Sequence, residues 1–112
     1  MVMRSDIEKI ITSTLAIPIK QLGENLVVPC AVLQTYLIGA DLFGDGSADI
    51  ETESIQIDLF YKKESEMLSS TKRLVKALDT ITSYPSVSCY YDSDTKLFRA
   101  DIKTTTQMES EV

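Results

Sequence analysis

The residues with the densest capacity for chemistry lie in one short run, ADLFGDGSADIE, from Ala40 to Glu51. It holds the carboxylates of Asp41, Asp45, Asp49 and Glu51, and two glycines. Such a run can hold a cation, supply an acid/base pair, or form a turn that touches another chain. A calcium loop of the EF-hand type starting at Asp41 would have Phe43 at its third position and Thr52 at its twelfth, where a bidentate Glu is needed. Its flanks also read as strands rather than helices. Asp45-Gly46 is better explained as a turn that uses the freedom of glycine at positive φ. Leu42 and Phe43 are then large apolar residues in an exposed loop. Either Phe43 folds back over one end of the core, or the loop is a contact arm against a neighbouring chain.

Other chemistry is thinly supplied. The chain has no histidine, so the common Ser-His and Cys-His nucleophile arrangements are impossible. Most acidic residues fall in turns or on helix exteriors, which disfavours a catalytic carboxylate pair. Gly39, Gly44 and Gly46 do not form a phosphate-binding motif. Cys30 and Cys89 are too few for a zinc site and form no CxxC motif. Both lie in apolar segments and read as small buried core residues with reduced thiols, a disulfide between them being the alternative. We therefore expect a protein that is not an enzyme and needs no cofactor or metal.

The 112 residues suit one domain, with 44% apolar and 25% charged residues. No apolar run approaches the ~20 residues needed to span a bilayer, and the N-terminus does not read as a signal peptide. The formal net charge of −6 repels phosphate and anionic lipid. Membrane binding and sequence-specific nucleic-acid binding are accordingly not expected. Lys72, Arg73 and Lys76 read as the solvated face of a helix.

The elements that position these residues follow from periodicity. Ser5 and Glu8 have the spacing of a capping box, and Ile7, Ile10, Ile11 and Leu15 follow at helical spacing. Pro18 ends that helix at or before Ile17. Lys20 to Asn25 reads as a polar connection. Val27 to Ile38 reads as a strand, with Pro29 near its start. Glu53 to Tyr61 alternates with period two, and Phe60 falls on its otherwise polar face, so that face is expected to be partly covered. Ser65 is the expected N-cap of a second helix, whose buried stripe is Met67, Leu68, Leu74, Val75, Leu78 and Ile81. Val87, Cys89 and Tyr91 alternate in a third strand. Asp92-Ser93-Asp94 is a turn, and a fourth strand runs from about Thr95 to Thr104.

The order α-β-β-α-β-β predicts a two-layer α+β domain over residues 1–105, an antiparallel four-stranded sheet with two helices on one face. Residues 106–112 read as a flexible polar tail. Periodicity leaves the strand order open.

The strand opening at Val28-Pro29, the ADLFGDG loop, the strand SIQIDLFYKK and the helix opening ESEM together resemble a family of small tail proteins of long-tailed bacteriophages and prophages. These are described as minor capsid, tail-completion or tail-terminator-like proteins. The matching positions are Val28-Pro29, Phe43, Asp45-Gly46 and Leu59-Phe60-Tyr61-Lys62-Lys63, and the resemblance spans about residues 18–105. The chain departs from the pattern at Glu64-Ser65, where Asp-Pro is more usual. The resemblance implies a virion structural protein at the tail or head-tail junction, assembled in the bacterial host cytoplasm. It implies a homo-oligomeric ring, commonly a hexamer, that terminates the tail tube and meets tail-tube and head-tail connector proteins. Asp41, Leu42, Phe43, Asp45, Gly46 and Phe60 are then the candidate protein-contact residues. The alternative is another head-tail connector or a non-enzymatic adaptor module.

Overall fold

The computed structural model describes residues 4–21, 23–25, 27–38 and 50–109. The chain runs α1 (Arg4–Leu15), β1 (Ile19–Lys20), β2 (Cys30–Ile38), β3 (Ile50–Tyr61), α2 (Glu64–Leu78), β4 (Ser83–Asp92) and β5 (Leu97–Glu109). The α+β class is as expected. The sheet differs: it has five strands in the order β1-β2-β3-β5-β4, and β1 runs parallel to β2 while the other neighbours are antiparallel. The added strand lies partly in the stretch expected to be a polar connection. Pro18 holds the chain extended as it leaves α1, and its carbonyl accepts the Ala31 amide at 3.0 Å. Two residues are too few to show a period, so β1 has no signature in sequence.

Alternation along the strands builds the core. Ile55, Ile57, Leu59 and Tyr61 of β3 face the helices and are buried beside Ala100 and Ile102 of β5. Ile7, Ile11 and Leu15 of α1, with Met67, Leu74 and Leu78 of α2, close this core from above.

Helices pack about 10 Å apart and strands about 4.8 Å apart, so two helices cover roughly four strands. The edge strand β4 is left over. Its helix-side residues Val87 and Tyr91 are 40% and 52% exposed, and Leu68 of α2 beside it is 39% exposed. The expected burial of Leu68 is corrected on this ground. So is that of Cys89, which is exposed, whereas Cys30 is buried, and burial raises its thiol pKa.

Element ends also differ. Ser65 lies inside α2. The N-cap is Lys63, which makes no side-chain cap, and Glu64 and Glu66 supply the favourable negative charge of the first turn. The Asp92-to-Lys96 turn is built by the Asp94 amide donating to Asp92 Oδ1 at 3.0 Å and the Lys96 amide donating to the Asp92 carbonyl at 2.7 Å. β5 continues through Glu109, pairing Thr106–Glu109 with Ile50–Glu53, so the expected tail from residue 106 begins inside a strand.

The residue after α1, Ala16, has φ 54°, the left-handed conformation that glycine adopts most easily. Its amide closes the helix on the Thr12 carbonyl at 2.9 Å. Ala16→Gly should therefore stabilise the domain. Relief of a strain of ~1 kcal/mol outweighs the added freedom of the unfolded chain and leaves a gain of about 0.5 kcal/mol. Thermal unfolding reads this as a rise of about 2 °C, and an unchanged or lower midpoint would show that Ala16 is unstrained.

Candidate functional site

The sheet face away from the helices carries the polar residues of the same strands. On β3 these are Gln56 and Asp58, with the apolar Phe60 beside them; on β5, Arg99 and Asp101; on β4, Tyr90 and Asp92; on β2, Gln34. Register brings them together, with Asp58 opposite Asp101, Phe60 opposite Arg99, and Tyr90 opposite Arg99.

Arg99 is the centre. Its Nε donates to Asp101 Oδ1 at 2.6 Å, and its terminal nitrogens lie 3.4 Å from Asp58 Oδ2 and 3.6 Å from Asp92 Oδ2. The guanidinium carbon stands 5.1 Å from the centre of the Phe60 ring and 5.8 Å from that of Tyr90. One planar cation thus serves three carboxylates and two aromatic faces, which a lysine ammonium could not do.

Asp58 is 2% exposed. Gln56 Nε2 donates to its Oδ1 at 2.9 Å, and Gln34 Nε2 to its Oδ2 at 3.3 Å. Burial, and then the neighbouring Asp101 carboxyl, push its pKa up to about 6. For Asp101, burial acts upward too, but hydrogen bonds from Asp58, Arg99 and Tyr90 outweigh it and lower the pKa. Tyr90 donates its hydroxyl to Asp101 Oδ2 at 2.8 Å. As pH falls, Asp58 is therefore the member of the pair that takes up a proton first, near pH 6.

A hollow of about 210 Å³ beside this network is lined by Glu24, Gln34, Asp58, Phe60 and Arg99, among others. That is below the ~300–1,000 Å³ of typical small-molecule sites. Both oxygens of Asp58 already accept hydrogen bonds within the protein, so the network ties β2, β3, β5 and β4 together. Among the described residues, no group of three His, Cys, Asp or Glu side chains is placed to hold a metal ion.

Of the expected contact residues, Phe60 alone falls among the described residues. Asp41, Leu42, Phe43, Asp45 and Gly46 lie outside the described residues. Phe60 is 4% exposed: it packs with Cys30 and Val32 beneath Arg99, so the expectation that it forms an open contact in the protomer is corrected. Its face is indeed covered, by a charged side chain from the neighbouring strand. Arg99, Asp58 and Asp101 were not singled out from sequence. The available signal was the pair Arg99 and Asp101, two apart on one strand face, with a lone acid on the face of Phe60.

A second surface lies at the sheet edge. Between α2 and β4 runs an open groove of about 420 Å³, lined by Leu68, Lys72, Val75, Lys76, Val87 and Cys89, among others. Beside it the backbone of β4 has no described strand on its outer side. No protein-family model and no curated protein matches this chain.

Proposed function

We propose that this chain is a non-enzymatic structural protein of a phage or prophage tail. In this reading it forms a ring that ends the tail tube and contributes to the head-tail junction. Its partners are further copies of itself, the tail-tube protein and head-tail connector proteins. The observation that carries the reading is where the quoted motifs lie. Val28-Pro29 leads directly into β2, Leu59-Phe60-Tyr61 ends β3, and Cys30 pairs with Phe60. These two motifs of the resemblance therefore meet at one end of the sheet, while Phe43 and Asp45-Gly46 lie outside the described residues. The open edge of β4 and its groove support a role in binding protein surfaces.

The test is to mix the purified chain with tail tubes of the matching phage and follow mass by light scattering and tube ends by electron microscopy. Rings of about six protomers on tube ends are expected, each contact joining two different patches as closed rotational symmetry demands. A chain that ignores tubes would overturn this reading and leave the adaptor.

A further inference from the structure

We propose that the edge of β4, with the groove above it, is a docking site for an extended peptide segment that joins the sheet as a further strand. On its helix-side face that segment carries an acidic side chain between apolar ones. The first support is backbone. β4 has no described strand on its outer side, so alternate residues along it direct both N–H and C=O outward. Natural edge strands are guarded by charge, proline or bulges. Pro85 and a register irregularity between Ser83 and Ser86 guard the first residues of β4. The next six, Ser86–Tyr91, read SVSCYY and carry no charge in a chain that is 25% charged.

The second support is an apolar surface on one side of that edge. Val87, Cys89 and Tyr91 lie on the helix side, as their partners Ile102, Ala100 and Phe98 do. All three are exposed, and the groove runs from Val87 and Cys89 to Leu68 and Val75 of α2. A strand added about 4.8 Å beyond β4 places its helix-side residues next to Val87 and Cys89, where long apolar side chains lean over them toward Leu68. A helix laid on the same shelf would leave the backbone of Ser86–Tyr91 unpaired. A strand fills shelf and edge together: main-chain hydrogen bonds give the affinity and alternate side chains the selectivity.

Charge identifies the occupant. Lys72 and Lys76 line the groove four residues apart on α2, a spacing at which like charges repel. Both are exposed, and neither has an ion-pair partner among the described residues. The groove lining contains no acidic residue. A carboxylate on the helix-side face of an incoming strand relieves that repulsion, and a basic side chain there adds to it. On the opposite face the strand lies beside Ser86, Ser88 and Tyr90, which suits neutral hydroxyl side chains.

The probe is a blocked peptide, Thr-Leu-Thr-Glu-Thr-Leu-Thr, whose order of residues is the same in either chain direction. Titrated to millimolar concentration into the isotope-labelled chain at low salt, it should shift the NMR amide signals of Ser86–Tyr91. It should also slow maleimide modification of the exposed Cys89, with the buried Cys30 as internal control. Replacing the peptide's glutamate by lysine should weaken binding about tenfold, and the variant K72E/K76E should reverse that preference. N-methylation of one alternate set of peptide amides should abolish binding, and of the other set should leave it within about threefold, because only one set faces β4. The proposal is overturned by amide signals of Ser86–Tyr91 that do not move, or by binding indifferent to the peptide's charge. It is overturned equally if both methylated sets behave alike, as a docked helix would require. A free chain whose mass doubles with concentration while those amides shift would overturn it in favour of a second copy. No tubes are present, so the tail reading stands or falls on its own result.

Discussion

Arg99→Met should destabilise the domain by about 2–4 kcal/mol, a large share of the 5–15 kcal/mol typical of a domain. Methionine keeps much of the apolar stem over Phe60 but removes the cation. Asp58, Asp92 and Asp101 then face one another without it. Breaking a buried ion pair by removing one partner costs ~3–5 kcal/mol, and the lower figure applies because about a quarter of the Arg99 side chain is open to screening by solvent. Arg99→Lys should fall between wild type and Arg99→Met, because a single ammonium cannot reach three carboxylates in one geometry. Urea unfolding reads both as a lowered midpoint at unchanged slope. A loss below about 0.5 kcal/mol in Arg99→Met would show that the carboxylates are solvated and the network is ornamental.

Asp58→Asn should become more favourable relative to wild type as pH rises. The pKa of Asp58 is near 6 in the folded protein, against an ordinary value of 3.8. Between those values the folded state holds more protons than the unfolded chain, so the contribution of Asp58 to stability falls as pH rises. The penalty is absent below about pH 4 and complete above about pH 6. Asparagine has no charge to bury and escapes it. From pH 4 to pH 8 the variant should gain about 1–3 kcal/mol on wild type, the upper figure being about two pKa units converted directly. Asp101 has the opposite sign. Its lowered pKa stabilises the fold above its unfolded value, and that contribution is lost as pH falls through the folded value. Asp101→Asn should accordingly lose ground against wild type as pH rises. Carboxyl carbon NMR titration of Asp58 gives the direct check. A stability difference between Asp58→Asn and wild type that does not vary with pH would show that Asp58 ionises as an ordinary surface acid.

These two effects originate in residues that periodicity treats as plain strand exteriors. Asp58 was legible as a polar position between Ile57 and Leu59, and Arg99 and Asp101 as polar positions flanking Ala100. Nothing local says that β5 lies between β3 and β4, and without that neighbour the three charges have no reason to meet. Phe60 shows the same limit. Its place on a polar face was readable, and so was the inference of a cover. That the cover is the Arg99 guanidinium follows from the pairing of Phe60 with Arg99. The loop residues Asp41 to Gly46, the strongest local signal, lie outside the described residues.

What the sequence determined by itself is what depends on near neighbours. The apolar stripes of α1 and α2, the alternation of β3 and the Asp92–Asp94 turn each follow from residues a few positions apart. The α+β class follows from their order. The tertiary structure decided strand order, the two-residue strand β1, the opposite pKa shifts of Asp58 and Asp101, and the exposure of Leu68, Val87, Cys89 and Tyr91. The physical reason is that a period of two or 3.6 assigns a residue to a face but not to a neighbour. Burial depends on what covers that face. Two helices are too narrow to cover five strands, and only the assembled sheet reveals that β4 is the one left open.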